Sequence, residues 1–149
     1  MNAEKKLIIL VGLPGSGKST WAAGQGVGVL SSDAVRQLLT DSAENQEVNG
    51  LVFPTLSFLL TMRTKAGARA TILDATSLTP KERKAWVKTA KDLGSQVEAV
   101  FFDTPLAVCK LRNASRSRVV PEDVMDRFAA RLVPPSEAEG FTTITVITP

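Results

Sequence analysis

Eight consecutive residues, Gly12-Leu-Pro-Gly-Ser-Gly-Lys-Ser19, have the types and spacing needed to hold a polyphosphate. They match the pattern G-x-x-x-x-G-K-[ST] at every fixed position, although a glycine-rich turn with a chance lysine is the structural alternative. The glycines let backbone N–H groups turn inward around phosphate oxygens. Lys18 would reach the β- and γ-phosphates of ATP, and the Ser19 hydroxyl would sit on Mg²⁺. The nucleotide-binding positions predicted here are Gly12, Pro14, Gly15, Ser16, Gly17, Lys18, Ser19 and Thr20.

An acidic and a basic residue, Asp33 and Arg36, follow the next predicted strand, which we place at residues 27–30. Asp33 lies where a general base for an attacking hydroxyl group belongs. The alternative is that Asp33, or one of the serines before it, only caps the helix predicted over 34–39. Arg36 is three residues further on and projects from the same helix face, where it would grip an anionic group of the acceptor. A solvated surface arginine is the alternative for this position.

A basic stretch from Lys110 to Arg118 contains no acidic residue. The i,i+4 spacing of Arg112 and Arg116 predicts that both lie on one helix face. A lid that carries two arginines would clamp the transferring phosphoryl group. A solvated basic face near a helix C-terminus is the alternative.

Two further acidic features could contribute to the same chemistry. Asp74 ends the third predicted strand, where a carboxylate would steady Mg²⁺ through water, or serve only as a turn residue. The stretch from Asp41 to Glu47 has no basic residue. We interpret it as a loop that borders the acceptor groove, with a plain solvated loop as the alternative.

Strands and helices alternate along the chain and must position these side chains. This order predicts an α/β fold, a P-loop NTPase-like, mostly parallel five-stranded sheet with helices on both faces and an arginine-bearing helical lid over 112–132. The site should then lie beyond the carboxyl ends of the strands. The predicted strands are 7–11, 27–30, 71–73, 97–102 and, at an edge, 143–147; the predicted helices are 19–25, 34–39, 47–66, one opened by a capping box from Thr79 to Glu82, one opened in the same way at Thr104-Pro105, and one from Pro121.

Composition narrows the function classes. The 149 residues predict one domain over 1–149, and the longest apolar run, Leu7–Val11, is too short to cross a membrane. With no histidine and the single Cys109, a zinc site and a Ser-His-Asp triad are excluded, and reducing cytoplasm is the expected compartment. Cys109 is expected to be a buried structural thiol. The net charge of +3 permits an anionic substrate, while the low aromatic content disfavours a base-stacking sheet.

The ordered motifs resemble the kinase domain of the polynucleotide 5′-hydroxyl kinases over residues 7–147. The nearest resemblance is to the kinase module of bacterial RNA-repair polynucleotide kinase-phosphatases, followed by phage end-healing kinases. The segments that carry it are Gly12–Ser19, Ser31-Ser32-Asp33-x-x-Arg36, Asp74-Ala-Thr76, Arg112-Asn113-x-x-Arg116, Val120-Pro121-Glu122 and Glu139-Gly140-Phe141.

The resemblance implies a role for each matching position. Lys18 and Ser19 would hold ATP and its Mg²⁺, and Asp33 would be the general base on a 5′-OH end of RNA or DNA. Arg36 would contact the phosphate that follows the first nucleoside, and Arg112 and Arg116 would contact the ATP phosphates from the lid.

The chain departs from this family at Ser77, where asparagine is common, and in a shorter stretch over 117–119. The motifs include none of a phosphatase or adenylyltransferase domain, so we expect either that separate phosphatase or ligase proteins supply the other steps of end repair or that only the kinase step is needed. Two other functions stay open: a P-loop kinase that phosphorylates a small-molecule alcohol, and a non-enzymatic nucleotide-binding module.

Overall fold

A sheet of five parallel strands forms the centre of the fold, in a computed structural model that describes residues 4–149. The domain expected over 1–149 includes residues 1–3, which lie outside the described residues. The strands are β1 (Lys6–Val11), β2 (Val29–Ser31), β3 (Ala70–Asp74), β4 (Gln96–Phe102) and β5 (Thr143–Ile147). The helices are α1 (Lys18–Ala23), α2 (Ser32–Thr40), α3 (Asn49–Lys65), α4 (Pro80–Asp92), α5 (Leu106–Ala114) and α6 (Glu122–Arg131), with short 3₁₀ turns at Gln46–Val48 and Glu137–Glu139.

The strand order is β2-β3-β1-β4-β5, and every neighbouring pair is parallel. β1 lies in the middle, which explains why its sequence is a continuous apolar run: side chains on both of its faces are buried. β5 is an edge strand, as predicted, but its exposure does not alternate strictly, since Thr145 and Val146 are both exposed. The predicted parallel α/β sheet is confirmed.

Helices cover both faces of the sheet, as predicted. On one face, Leu7 and Ile9 of β1 pack with Leu56 of α3 and Trp86 of α4. On the other face, side chains of β1, β3 and β4 pack against Ala22 of α1. A third apolar cluster, formed by Leu13, Leu78, Cys109 and Met125, attaches α5 and α6 beside the carboxyl ends of the strands. Cys109 is fully buried, as the sequence predicts.

Four predicted element boundaries are wrong by two residues: the starts of β2 and α3, the end of α1, which is Ala23 rather than Gln25, and the start of α2, which is Ser32 rather than Ala34. β2 begins at Val29 rather than at Val27, because its register with β3 begins with the pair Val29 and Ile72. The Arg63 guanidinium packs against the preceding residue, Gly28, where a side chain would lie. The helix predicted over 47–66 begins at Asn49, because Asn45 caps a separate 3₁₀ turn through its bond from the Glu47 N–H (2.9 Å).

Two predicted helix starts also differ in their capping. Thr79 caps α4 by accepting the Glu82 N–H (3.2 Å), but the Glu82 carboxylate accepts the N–H of Leu78 instead of completing the box at Thr79. Thr104 does not cap α5; its hydroxyl donates to the Ser16 carbonyl (3.2 Å). The side chain expected to start a helix therefore ties β4 to the loop after β1.

Candidate active site

The loop after β1 wraps tightly against α5. Gly15 and Gly17 have φ of 81° and 101°, a left-handed conformation that glycine adopts without strain. A Cβ on Gly15 would lie 2.5 Å from the Cys109 carbonyl oxygen, so no larger residue fits while α5 stays in place. The glycines thus allow the conformation of the loop, and the backbone of α5 packs directly against it.

The interior of this loop is electrostatically prepared for an anion. Lys18 donates from Nζ to the Gly12 carbonyl (2.7 Å). Desolvation by burial lowers the pKa of Lys18 from its ordinary value, the Asp74 carboxylate partly offsets this, and the Arg116 charge adds to it. The Ser16 hydroxyl is buried and has no hydrogen-bond partner among residues 4–149. A buried hydroxyl without a partner, in the same loop as a partly buried cation, fits the oxygen of a bound phosphate.

Ser19 and Asp74 meet across the sheet end. The Ser19 hydroxyl donates to Oδ2 of Asp74 (2.7 Å), and both residues line the same cavity. Hydroxyl and carboxylate oxygens are ligands that Mg²⁺ accepts, usually together with water and substrate phosphates. Within residues 4–149 no cluster of three His, Cys, Asp or Glu side chains gathers to hold a metal. The pair therefore suits an ion that takes most of its ligands from a nucleotide and water.

Asp33 lies near the start of α2, but it is not the cap. Ser31 caps the helix: its Oγ accepts the Ala34 N–H at 3.2 Å. The Asp33 carboxylate accepts from Nη1 of Arg36 on Oδ1 (3.0 Å) and from Nη1 of Arg118 on Oδ2 (2.5 Å). The capping alternative thus applies to a serine, and Asp33 is held between two cations at the cavity wall.

Arg36 is buried, at 6% exposure, so the surface-arginine alternative is wrong. Its Nη1 bonds Asp33, and its Nε donates to Oδ1 of Asn49 (2.9 Å) at the start of α3. The guanidinium is therefore oriented by α2 and α3 together. Among residues 4–149 no protein acceptor bonds its Nη2. That nitrogen belongs to a side chain that lines the cavity.

Arg112 and Arg116 both line the cavity, but they do not share a helix face. α5 ends at Ala114, and Ser115 is its C-cap, so Arg116 belongs to the following loop. The helix stops because the Asn113 side chain closes that loop, donating to the Val120 carbonyl (2.7 Å) and accepting the Val120 N–H (3.0 Å). The shared-face prediction is wrong, although both guanidiniums lie near the phosphate loop.

Two features of the site were missed by the sequence argument. Arg118 was counted only as part of a basic stretch, yet it bonds Asp33 from 85 positions away. Arg83 is fully buried and makes a fork with Glu139, with Nε–Oε1 at 2.7 Å and Nη2–Oε2 at 3.0 Å. Its Nη1 donates to the Ser77 carbonyl (2.9 Å), which anchors the loop after Asp74. The basic stretch from Lys110 to Arg118, which has no acidic residue, could have identified Arg118, whereas no sequence pattern pointed to Arg83.

One cavity of about 1200 Å³ lies at the carboxyl ends of the strands, and its walls include Arg112, Arg116 and Arg118 but neither Arg83 nor Glu139. The phosphate loop and Asp74 occupy one side, and Asp33 with Arg36 occupies another. Ser31 pairs with Asp74 across β2 and β3, so the backbone register explains why Asp33 and Asp74 line the same cavity. Glu44 and Gln46 also line the cavity, so the acidic 41–47 loop borders it. An anionic donor and a hydroxyl acceptor can occupy this space together.

The family described as an AAA domain, AAA_33, matches residues 7–135. A curated relative, the bifunctional polynucleotide phosphatase/kinase of Schizosaccharomyces pombe, is 24% identical over 148 residues, which is 95% of this chain and 33% of that protein. This chain therefore spans about a third of the length of that relative. The similarity confirms the resemblance noted from the motifs.

Solved structures share the fold. A chain of the Pnkp1/Rnl/Hen1 RNA repair complex superposes with a TM-score of 0.76 and 22% identity over 89% of this chain and 45% of that one. A sugar kinase from Janibacter sp. superposes with a TM-score of 0.68 and 18% identity over 97% of this chain and 85% of that one. Both show a P-loop kinase fold. In residues 4–149 no helix has the length and apolarity that crossing a bilayer requires.

Proposed function

The chain belongs to the AAA domain family AAA_33, and from that premise we propose that residues 1–149 act as one kinase domain, with a lid over 112–132, that transfers the γ-phosphate of ATP to a 5′-OH end of RNA or DNA. One observation carries the proposal: the phosphate loop and the Asp33–Arg36 pair face a single cavity. A base beside a buried arginine suits an acceptor with a hydroxyl close to an anion.

On the donor side, Lys18 and the orphan Ser16 hydroxyl would bind the phosphates of ATP. Ser19 and Asp74 would hold Mg²⁺, which when bound neutralises charge on the β- and γ-phosphate oxygens. Arg112 and Arg116 would approach the same phosphates from the lid side. Because they face an interior that already contains Lys18, their charge is best offset by a polyphosphate.

On the acceptor side, Asp33 would take the proton of the attacking hydroxyl. The hydroxyl oxygen forms a bond to the γ-phosphorus, the bond from that phosphorus to the β–γ bridging oxygen breaks, and ADP leaves. Each oxygen of the Asp33 carboxylate already accepts one arginine bond and retains a second lone pair for the incoming hydroxyl. Arg36 would grip the 3′-phosphate of the same terminal nucleoside through its remaining nitrogen.

A labelled-phosphate transfer assay tests the proposal. It offers γ-labelled ATP and Mg²⁺ with 5′-OH RNA, 5′-OH DNA, a nucleoside 3′-monophosphate, the bare nucleoside and a panel of small alcohols. We expect the 3′-monophosphate to be a good minimal acceptor and the bare nucleoside to be far worse. A bare nucleoside or an unrelated alcohol that outperforms the phosphorylated acceptor would contradict a polynucleotide substrate.

Variants of Arg36 test how the acceptor is recognised. Hydrogen bonds to charged groups contribute about 1.5–3 kcal/mol, so Arg36→Ala should lower kcat/KM for the 3′-monophosphate about 10- to 150-fold with ATP binding unchanged. Arg36→Lys, which keeps the buried charge, covers the case in which the alanine variant does not fold. The matched control is Arg127→Ala, an exposed α6 arginine outside the cavity. An equal loss in the control would indicate general charge attraction.

A small-molecule alcohol kinase is the second candidate. It is favoured by the fold similarity to the Janibacter sugar kinase, which extends over nearly all of this chain and most of that one. The same assay distinguishes the two functions, since a metabolite kinase has no use for a 3′-phosphate beside Arg36. The separate phosphatase or ligase partners proposed for end repair follow only if the polynucleotide acceptors are phosphorylated.

A further inference from the structure

A second cavity, of about 680 Å³, lies directly beside the first. Arg36, Gln46, Thr76 and Phe128 line both cavities, so the two adjoin beside the residue that would hold the first 3′-phosphate of the acceptor. The walls of the second cavity come from α3, α4 and α6. Nothing in the proposed transfer reaction uses this space.

The second cavity has the lining of a site for a flat ring. The Phe53 ring lies 6.4 Å from the Trp86 ring at an angle of 52°, and Phe128 adds a third aromatic side chain. Asn49, Ser57 and Thr89 supply polar groups among these apolar walls. Phe53 is 38% exposed, so its ring is available for a ligand to stack on. Apolar walls with a few hydrogen-bonding groups are typical of small-molecule sites.

Arg36 stands at the boundary between the cavities. Its Nε and Nη1 are taken by Asn49 and Asp33, which leaves Nη2 for an anion. The charged residues in the second cavity are two arginines, Arg36 and Arg131, against one carboxylate, Glu82. Glu82 is already paired with Arg131 and with the Leu78 N–H. This balance suits a neutral ring attached to a negatively charged backbone.

We propose that the second cavity binds the base of the second nucleotide of the acceptor strand, an inference that rests on the proposed polynucleotide function. With the 5′-OH at Asp33 and the first 3′-phosphate at Arg36, the strand must continue past Arg36. Because Arg36, Gln46 and Thr76 line both cavities, the second cavity is the adjoining space that the next nucleotide would meet. The next base then stacks on Phe53.

The experiment compares a nucleoside 3′-monophosphate with a 5′-OH dinucleotide as acceptors. Base–aromatic stacking contributes about 1–3 kcal/mol, so Phe53→Ala should lower kcat/KM for the dinucleotide about 5- to 150-fold. The same variant should leave the 3′-monophosphate within about twofold of wild type, since only the first nucleotide is then bound. Phe53→Tyr, which keeps the ring, should retain the dinucleotide preference.

The matched control is Phe58→Ala, because Phe58 lies on the same helix, is 62% exposed and lines neither cavity. Phe58→Ala should leave kcat/KM unchanged for both acceptors. Phe53→Leu keeps apolar bulk without the ring, so it tests stacking if the alanine variant unfolds, and thermal melts report folding of each variant.

Two results would overturn the inference alone: a wild-type enzyme that uses both acceptors equally well, or a Phe53→Ala loss of the same size on both. Phosphorylation of a small alcohol with neither nucleotide accepted would overturn the proposed function and this inference with it. Binding of an apolar metabolite or peptide in the second cavity, with no preference of the enzyme for the dinucleotide over the 3′-monophosphate, would also contradict the inference.

Discussion

Two substitutions, Asp33→Asn and Ser31→Ala, distinguish the proposed general base from the helix cap two residues before it. Ser31 caps α2 through its 3.2 Å bond from the Ala34 N–H, whereas Asp33 faces the cavity between Arg36 and Arg118. A cap contributes to stability, and a base contributes to the rate of transfer. The two substitutions should therefore change different measurements.

The magnitudes keep the two effects apart. Loss of the Ser31 cap should cost about 1 kcal/mol, which lowers Tm by about 3 °C for a chain of this length. Asp33→Asn keeps the side-chain shape and one acceptor, but it weakens bonds to charged groups worth about 1.5–3 kcal/mol each when desolvated. Asp33 is 41% exposed, so solvent screening reduces that cost.

Unfolding cannot mimic the loss of a base. After solvent screening, a combined cost of about 3 kcal/mol for the two weakened bonds, taken from a stability of about 5 kcal/mol, leaves about nine-tenths of the molecules or more folded. Removal of a general base lowers kcat about 10²- to 10⁴-fold. A rate loss of that size in Asp33→Asn therefore reports chemistry.

The assay measures kcat at saturating ATP and acceptor, with thermal melts of each variant. Asp41→Asn is the matched control, because Asp41 ends the same helix in a left-handed conformation that asparagine tolerates and lies outside the cavity. It should keep wild-type kcat. Nearly full kcat in Asp33→Asn, or an equal loss in Ser31→Ala, would refute the assignment of Asp33 as the base.

Three other predictions test the rest of the site. Lys18→Met should abolish transfer without lowering Tm, because burial already lowers the pKa of Lys18 and so disfavours its charge; near wild-type turnover would contradict its role. Arg112→Ala and Arg116→Ala should each lower kcat about 10²- to 10³-fold at saturating ATP, with poor rescue by lysine, whereas a change in KM alone would indicate uniform binding. Burial, the largest single influence, would raise the pKa of Glu139, but the hydrogen bonds from Arg83 and Ser136 and the charge of Arg83 together hold the pKa below its ordinary value of 4.5. The ionised carboxylate therefore stabilises the fold above that pH, and this contribution is lost as the pH falls through the lowered pKa. Denaturant melts of Glu139→Gln should show a free energy of unfolding about 3 kcal/mol lower than wild type near pH 7. On acidification, the free energy of unfolding should decrease less in the variant than in wild type.

The sequence by itself determined the parts of this protein that depend on local pattern. A continuous apolar run predicts β1, because a central parallel strand buries both faces, and the order of strands and helices predicts the parallel sheet. The phosphate-loop pattern identifies Lys18 and Ser19, because its glycines and lysine act through residues that are adjacent in the chain. Asp33 and Asp74 could be placed at one sheet edge, since parallel strands end on the same side.

The tertiary structure decided what depends on residues far apart in the chain. Arg118 bonds Asp33 across 85 positions, and Arg83 reaches Glu139 across 56. No spacing rule predicts such pairs, because they form only where separate helices and loops meet. The same reason explains the burial of Arg36 and the aromatic second cavity. No pattern within α2, α3, α4 or α6 alone predicts either feature, and only the packing of these helices leaves an open space beside a buried cation.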